Sequence, residues 1–460
     1  MKILSLILSF LLFFPSYLLS FLPSNITEDF TLTGNGINNG AISVNGEDTA
    51  VAAKTEGAVY TYGFSAYRCG WFNYFGLKYN SDAYMKGEIV YTGKNGEYCE
   101  EFFLEPGENA EFFSFIDGCL DKVKSNTLCS LTFAPLDKDA ANFELLGVGT
   151  FNRSIPEKIV YLETSKIKIG ANLEWGGALS YLEDLDSNVQ AVEKDGRIYV
   201  DSDAAKRYGV KSVNDNVNLI NCHDTGRLVQ QSYYGTDSGD YECGYYDGNR
   251  WSYNPVQGGN VNNDCSKIVD LACTDNEIYV KCRPLDWAKT AEHITPSYME
   301  AHYTVNGDAV EISCRFVDFS GYPPRVSSQE IPAFYCIEPF NRFVYCKDGE
   351  IAYENSLIFW PEAGYPMFPS SENWAAFTGE FDDSFGIGIY VPETTQFLAG
   401  VFAREQTTNP EPCYDGTTSY IAAIEYFEFK SFAPYEYNYV IATGNVEQMR
   451  AAFNAAAEKG

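Results

Sequence analysis

The chain has 460 residues, 45% hydrophobic and 21% charged, without a low-complexity tract. Those values exclude a disordered or fibrous protein and point to more than one globular domain. Its 63 acidic against 32 basic residues give a formal charge of −31, a field that excludes nucleic acid and polyanionic matrix as natural partners and leaves neutral glycans unaffected.

The first twenty residues, "MKILSLILSFLLFFPSYLLS", hold one Lys and then an apolar run with Pro15 inside it. This reads as a secretory signal peptide over residues 1–20 rather than an anchor, because Pro15 disfavours a spanning helix. No later segment approaches the ~20 apolar residues a membrane span needs. The mature chain is therefore expected outside the cytosol, secreted or in the lumen of the secretory or endolysosomal system. Thirteen Cys suit that compartment and predict disulfides. Four of them (Cys69, Cys99, Cys119, Cys129) precede residue 150 and nine follow it, so at least one later thiol is left over. There is no CxxC pair and there are only three His (His223, His293, His302), so no metal or cofactor site is expected. Asn25-Ile-Thr and Asn152-Arg-Ser are N-glycosylation sequons.

Residues 21–155 read as a β-sandwich domain. Short strand-like runs alternate with Gly and Asn turns; "TGKNGEY" is a hairpin signal, and "CSLTFAPLDKDAANFELLGVGTF" reads as two strands around an acidic turn. "FNRSIPEKIV" (151–160) is the junction. Residues 156–460 are again strand-rich without a fixed-period repeat, which points to one large all-β sandwich. The final stretch, "NVEQMRAAFNAAAEKG", is the clearest helix, with Asn445 as its N-cap. The 34 Tyr and 32 Phe suit such a fold, since aromatics favour strands and Tyr adds a flat face with a polar handle.

Within "CHDTGRLVQQSYYG" (222–235), strand alternation puts Arg227, Val229, Gln231 and Tyr233 on one face and Leu228, Gln230, Ser232 and Tyr234 on the other. Neither face is cleanly apolar, so one should line a cleft. Asp224 precedes it in a turn, either aimed at that cleft or bonded to its own backbone as an Asx turn. "WSYNPVQGG" adds Trp251, Asn254 and Gln257, and "CRPLDWAK" adds Asp286 and Trp287; amides and aromatics of this kind suit sugar hydroxyls and the apolar faces of sugar rings. In "SYMEAHYTVNGDAVEISCRF", a two-residue turn at Asn306-Gly307 would set Glu300 opposite Ser313, His302 opposite Glu311 and Tyr298 opposite Arg315. Tyr298, Glu300, His302, Glu311, Ser313 and Arg315 then share one face, either the wet face of a sheet or a cleft with a carboxylate and an imidazole for proton transfer. A glycosidase needs a second carboxylate, for which Asp224, Asp286, Asp318 and Glu338 are candidates. There is no G-x-S-x-G elbow, P-loop, H-E-x-x-H or dinucleotide fingerprint.

The run "LEWGGALSYLEDL…NLINCHDTGRLVQQSYYG…WSYNPVQGG" resembles the galactose-mutarotase-like supersandwich proteins of carbohydrate metabolism, and more closely a group of secreted proteins with that architecture. The resemblance covers roughly residues 165–440, and the preceding region is similar to the jelly-roll sandwich found beside such domains. It implies that Gly176-Gly177 joins two strands, that the H-D-x-G-R element opens a central strand, and that the amide-rich loop borders the binding face. Aldose epimerases of this fold use a Glu base and a His acid. Their usual His motifs are absent here, so Glu300 and His302 match by chemistry alone. The expectation is a secreted carbohydrate-active protein hydrolysing a glycosidic bond, with Glu300 and one of Asp224, Asp286 or Glu338 as carboxylates and His302 sharing the proton transfer. Arg227, Gln231, Tyr233, Trp251, Asn254, Gln257, Trp287, Tyr298 and Arg315 would hold an oligo- or polysaccharide. A non-catalytic glycan-binding protein is the first alternative, and a polysaccharide lyase or sugar epimerase the second.

Overall fold

The computed structural model describes residues 41–43, 51–64, 70–93, 96–114, 123–151, 153–307, 309–355, 357, 366–380, 383–402 and 407–459. Residues 1–20, expected as a signal peptide, the acceptor Asn of both sequons, Cys69 and Cys119 lie outside the described residues. The protein is all-β, and among the described residues helices are confined to short pieces and to the C-terminal Val446–Ala457. Among the described residues, no helix is long and apolar enough to cross a membrane. Two compact units are present, residues 1–155 with 269–274, and residues 156–268 with 275–460.

The first unit is built from two antiparallel sheets. One runs Ala41–Ser43, Phe143–Phe151, Tyr74–Ser81, Gly107–Phe113; the other runs Val51–Glu56, Val59–Phe64, Val123–Pro135, Met85–Gly93, Gly96–Leu104. Met85–Gly93 alternates buried and half-buried residues, the period of a strand with one face in a core. Rings from the two sheets interleave, with Phe133 4.3 Å from Phe143 and Phe102 5.1 Å from Phe113. The expected hairpin closes with Gly93 opposite Gly96. The two strands flanking the acidic turn form, but they fall in different sheets.

In the second unit one sheet runs Ile159–Glu163, Ile167–Asn172, Ala178–Asp184, Val229–Ser232, Arg325–Ile337, Thr418–Phe429, Gln396–Phe402, Met367–Pro369. The other contains, in order, Glu277–Arg283, Ser297–Asn306, Ala309–Asp318, Tyr435–Gly444, Gly386–Tyr390, Trp374–Gly379, Phe340–Lys347, Glu350–Glu354. The sheets pack face to face. Tyr233 of the first stacks on Phe316 of the second at 4.1 Å, and the Tyr303 hydroxyl donates to the Gly177 carbonyl at 2.9 Å. Gly176 and Gly177 take left-handed φ values of 57° and 71° between Ile167–Asn172 and Ala178–Asp184. A Cβ on Gly176 would lie 1.9 Å from the Gln257 carbonyl oxygen, so this turn admits only glycine. The C-terminal helix starts at the expected cap: Asn445 accepts from Gln448 N and the Gln448 side chain accepts from Asn445 N, a capping box. Its Val446, Met449 and Phe453 pack on Trp374, Tyr390 and Val440.

The Ser297–Asn306 hairpin differs from expectation. Asn306 pairs with Ala309, with Gly307 (φ 65°) in the turn, so Glu300 lies opposite Arg315, His302 opposite Ser313 and Tyr298 opposite Val317. Moving the turn by one residue shifts partners by two and keeps each side chain on its face. That face is wet only in part: Tyr298, Glu300 and His302 are buried, while Glu311, Ser313 and Arg315 are half-buried. Cys222 and Cys413 lie side by side without a disulfide, Cys222 N donating to Cys413 O at 2.7 Å.

Candidate functional site

A cleft opens on the outer face of the first sheet of the second unit, with a volume of about 690 Å³ counting its solvent-filled mouth. Its floor comes from Val229–Ser232 and the neighbouring strands. Gln230, Ser232 and Tyr234 alternate along the central run of the floor, and Glu330, Ala333, Tyr335 and Tyr420 continue it across the sheet. Ordinary alternation would put residue 330 with 332 and 334. A β-bulge intervenes: Ser232 pairs with Glu330 but Gln230 with Ala333, and on the other side Ile424 pairs with Glu330 but Ala422 with Ala333. Pro332, inside the bulge, has no N–H to give the ladder. The extra residue switches parity, so Glu330 shares the cleft face with Ala333 and Tyr335.

The rim is aromatic. Tyr246 and Trp251 stand on the hairpin Gly244–Tyr246/Asn249–Trp251, ring centroids 5.5 Å apart, and Trp287 lies 6.1 Å from Tyr246. Tyr234 meets Trp251 edge-on at 6.4 Å, while Tyr335 and Tyr420, paired across the sheet, stack at 4.3 Å. Asn254 ties rim to floor. Its Oδ1 accepts from Trp251 Nε1 at 3.0 Å, its Nδ2 donates to Ser232 Oγ at 3.1 Å and to Tyr233 O at 2.8 Å, and its carbonyl accepts from Trp287 N at 2.9 Å. Gln230 is equally committed, donating to the Thr225 and Arg227 carbonyls at 3.0 Å and accepting from Gly258 N at 2.7 Å. This lock holds Leu228 at φ 103°, a left-handed conformation costly for a bulky residue. With both amides so engaged, the ring faces and the Glu330 carboxyl are what the cleft presents to a ligand.

Glu330 is the only carboxylate among the described residues lining the cleft. The Tyr420 hydroxyl donates to its Oε2. Burial of the carboxyl raises its pKa, and the hydrogen bonds from Tyr420 and Tyr234 only partly oppose this.

Three residues expected at a sugar site from the sequence, Trp251, Asn254 and Trp287, come together here. Others do not. Gln231 and Tyr233 sit on the opposite parity, fully buried between the sheets: Gln231 Nε2 donates to the Glu300 carbonyl at 2.8 Å, and Gln231 Oε1 accepts from the Tyr233 hydroxyl at 2.9 Å. Gln257 is buried, accepting from Gln231 N and donating to Gly176 O. Asp224 forms the Asx turn, its Oδ1 accepting from Gly226 N and Arg227 N at 3.0 Å, and its carboxylate pairs with the Arg227 guanidinium. Arg227 also donates to the Gly416 carbonyl at 2.9 Å. The turn delivers Gly226 to the cleft wall, where a Cβ would lie 2.4 Å from the Trp287 ring.

Asp286 is buried beneath the rim, accepting from the Tyr241 hydroxyl at 2.7 Å and from Asn254 N at 3.3 Å; burial raises its pKa against those bonds and the Lys289 charge. Asp318, deeper still, accepts from Tyr253 and Ser320, and burial raises its pKa too. Glu338 pairs with Arg197 at 3.4 Å, away from the cleft, its pKa raised by burial.

Glu300 and His302 are likewise not in the cleft. Glu300 accepts from Tyr279 OH at 2.9 Å and Arg315 Nη1 at 3.0 Å. Burial alone would raise its pKa, but the Arg315 and Lys281 charges outweigh it and the net shift is downward, so the group stays ionised. Arg315 also bonds Glu436, Tyr298 packs on Phe319, and His302 pairs with Glu277 at 2.9 Å. This is a buried ion-pair network. Glu330 was missed from sequence because only the bulge at Ile331-Pro332 brings it to this face; the Pro inside a strand run was the available signal. Among the described residues no group of three or more His, Cys, Asp and Glu is placed to hold a metal ion.

No protein-family model and no curated relative matches the chain. Among solved structures it is similar to a putative aldose 1-epimerase from Escherichia coli K12 (7% identity, TM-score 0.36), covering 63% of this chain and 99% of that one. A galactose mutarotase related enzyme from Lactobacillus acidophilus matches at 9% identity and TM-score 0.35, over 62% of this chain and 97% of that one. An alpha-mannosidase from Enterococcus faecalis V583 matches at 8% identity and TM-score 0.35, over 84% of this chain but only 40% of its own length. Identities and TM-scores this low transfer no residue role and no activity.

Proposed function

We propose that the chain binds carbohydrate in this cleft, acting as a glycan-binding protein. The observation that carries the reading is the ring-walled cleft itself: Trp251, Trp287, Tyr246 and Tyr335 offer flat faces of the kind on which the C–H faces of sugar rings stack, and the Glu330 carboxyl sits at the floor to orient a hydroxyl. Tyr and Trp lose little rotamer freedom on binding, so such a wall supplies contact area at low entropic cost. Hydrolysis, the leading expectation from sequence, needs two carboxylates ~5–10 Å apart around the scissile bond. The described lining supplies one, and Asp224 and Asp286 are committed to a turn and to a loop.

A glycan array followed by calorimetry tests the reading. Trp251→Ala and Trp287→Ala are each expected to weaken binding at least tenfold, about 1.4 kcal/mol. Unchanged affinity in both variants, or no glycan bound by the parent, removes it. The raised pKa of Glu330 favours a second reading, in which that carboxyl protonates a sugar oxygen as a general acid. Turnover of any bound glycan that disappears in Glu330→Gln would establish this, and absence of turnover on every bound glycan would dismiss it.

A further inference from the structure

We propose that the cleft selects amine-bearing sugars, taking the ammonium group of an amino sugar against the Glu330 carboxylate within the aromatic wall; this rests on the carbohydrate reading above. Three observations meet here. Among the described residues lining the cleft, Glu330 is the one charged side chain, and its recorded partners are the Tyr420 and Tyr234 hydroxyls; no described Lys or Arg forms an ion pair with it. The guanidinium of Arg227, next in sequence to the cleft-lining Gly226, is held by the Asp224 carboxylate and the Gly416 carbonyl. A carboxylate in such surroundings lacks a counter-ion, and a cationic ligand supplies one.

The second observation is the wall. Tyr234, Tyr246, Trp251 and Trp287 contact one another edge to face, at interplanar angles of 60°, 77° and 62°. All four rings line the cleft, and aromatic π faces attract ammonium groups while offering nothing to a carboxylate. A purely neutral site would be expected to use its amides on sugar hydroxyls, yet Gln230 and Asn254 spend theirs on the protein. Third, the chain's formal charge of −31 enriches cations around it and opposes uronates.

The test is calorimetry at pH 7 on the full chain with glucosamine and galactosamine oligomers, their N-acetylated counterparts, the corresponding uronates, and tetramethylammonium as a sugar-free cation. Amine-bearing oligomers are expected to bind at least tenfold tighter than the N-acetylated ones, with uronates weakest and tetramethylammonium quenching Trp fluorescence at higher concentration. Glu330→Gln, checked for folding by its melting curve, should erase the preference so that amine-bearing and N-acetylated oligomers bind alike. Trp287→Ala should weaken both. Neutral oligomers binding as tightly as amine-bearing ones overturn the inference while the carbohydrate reading stands, as does a preference that survives Glu330→Gln. Tetramethylammonium binding without any sugar binding overturns the carbohydrate reading and leaves a cation site. Binding of neither overturns both.

Discussion

Two glutamates define the contrast at the scale of single residues. Glu300 is ionised, buried and paired with Arg315 and Tyr279, so it belongs to the framework. Its removal strands positive charge in a buried site, and Glu300→Ala is expected to cost about 3 kcal/mol, the lower end for a broken buried pair because Arg315 keeps Glu436. Denaturant titration checks this, and glycan affinity of the folded fraction should not change. Glu330 behaves oppositely. Burial raises its pKa, so ionisation is easier in the unfolded chain, and the stability it lends is complete below the ordinary carboxylate range and lost as pH rises through its raised value. Glu330→Gln should therefore melt at the same temperature as the parent or higher at neutral pH, while binding is impaired, the pattern of a group kept at some cost to stability. Asn254→Ala removes the partner of Trp251 Nε1, Ser232 Oγ and Tyr233 O at once, and an expected loss of about 1–3 kcal/mol with a change in Trp emission would report the loosened rim.

Strand parity decides the site at the scale of elements. The polar character of "RLVQQSYY" was legible in the sequence, and so was the inference that one of its faces lines a cleft. Which face was not. Gln231 and Tyr233 resemble ligand-binding groups as much as Gln230 and Tyr234 do, but the carbonyl of Glu300 on the opposing sheet and the Tyr233 hydroxyl satisfy the Gln231 side chain in the interior. The Arg325–Ile337 strand hid its contribution for a related reason, since a bulge reverses alternation midway and regular period-two reading then fails. The C-terminal helix is the opposite case. Its cap, periodicity and Ala-rich body are all local, and it forms where the sequence places it. Asn445→Ala should remove the capping box and cost about 1 kcal/mol, measured as a shift in denaturation midpoint.

Acid response belongs to the whole molecule. Glu372, hydrogen-bonded first by Arg450 of the terminal helix and also by Trp374 Nε1, has its pKa lowered from 4.5 to about 2. Its contribution is present above the unfolded value and is lost as pH falls through about 2. Partly exposed, it is worth on the order of 1 kcal/mol after solvent screening. Glu372→Gln should lower stability at pH 7 and leave it little changed at pH 2, flattening the acid limb of a pH–stability curve. Asp286 and Asp318 have pKa values raised by burial and act in the other sense, contributing most at low pH and less as pH rises through their raised values.

By itself the sequence determined the all-β class, the capped helix, the amide-rich loop that carries Trp251 and Asn254, and Trp287 further along the chain. Each follows from local propensity, spacing or composition. The tertiary structure alone decided which polar residues meet a ligand. Glu300, Gln231 and Tyr233 have the chemistry of a site and are satisfied by partners from distant strands, whereas Glu330 reaches the cleft through one extra residue in a ladder. Burial and hydrogen-bond satisfaction are set by contacts far apart in the chain, and a side chain's chemistry does not reveal whether those contacts exist.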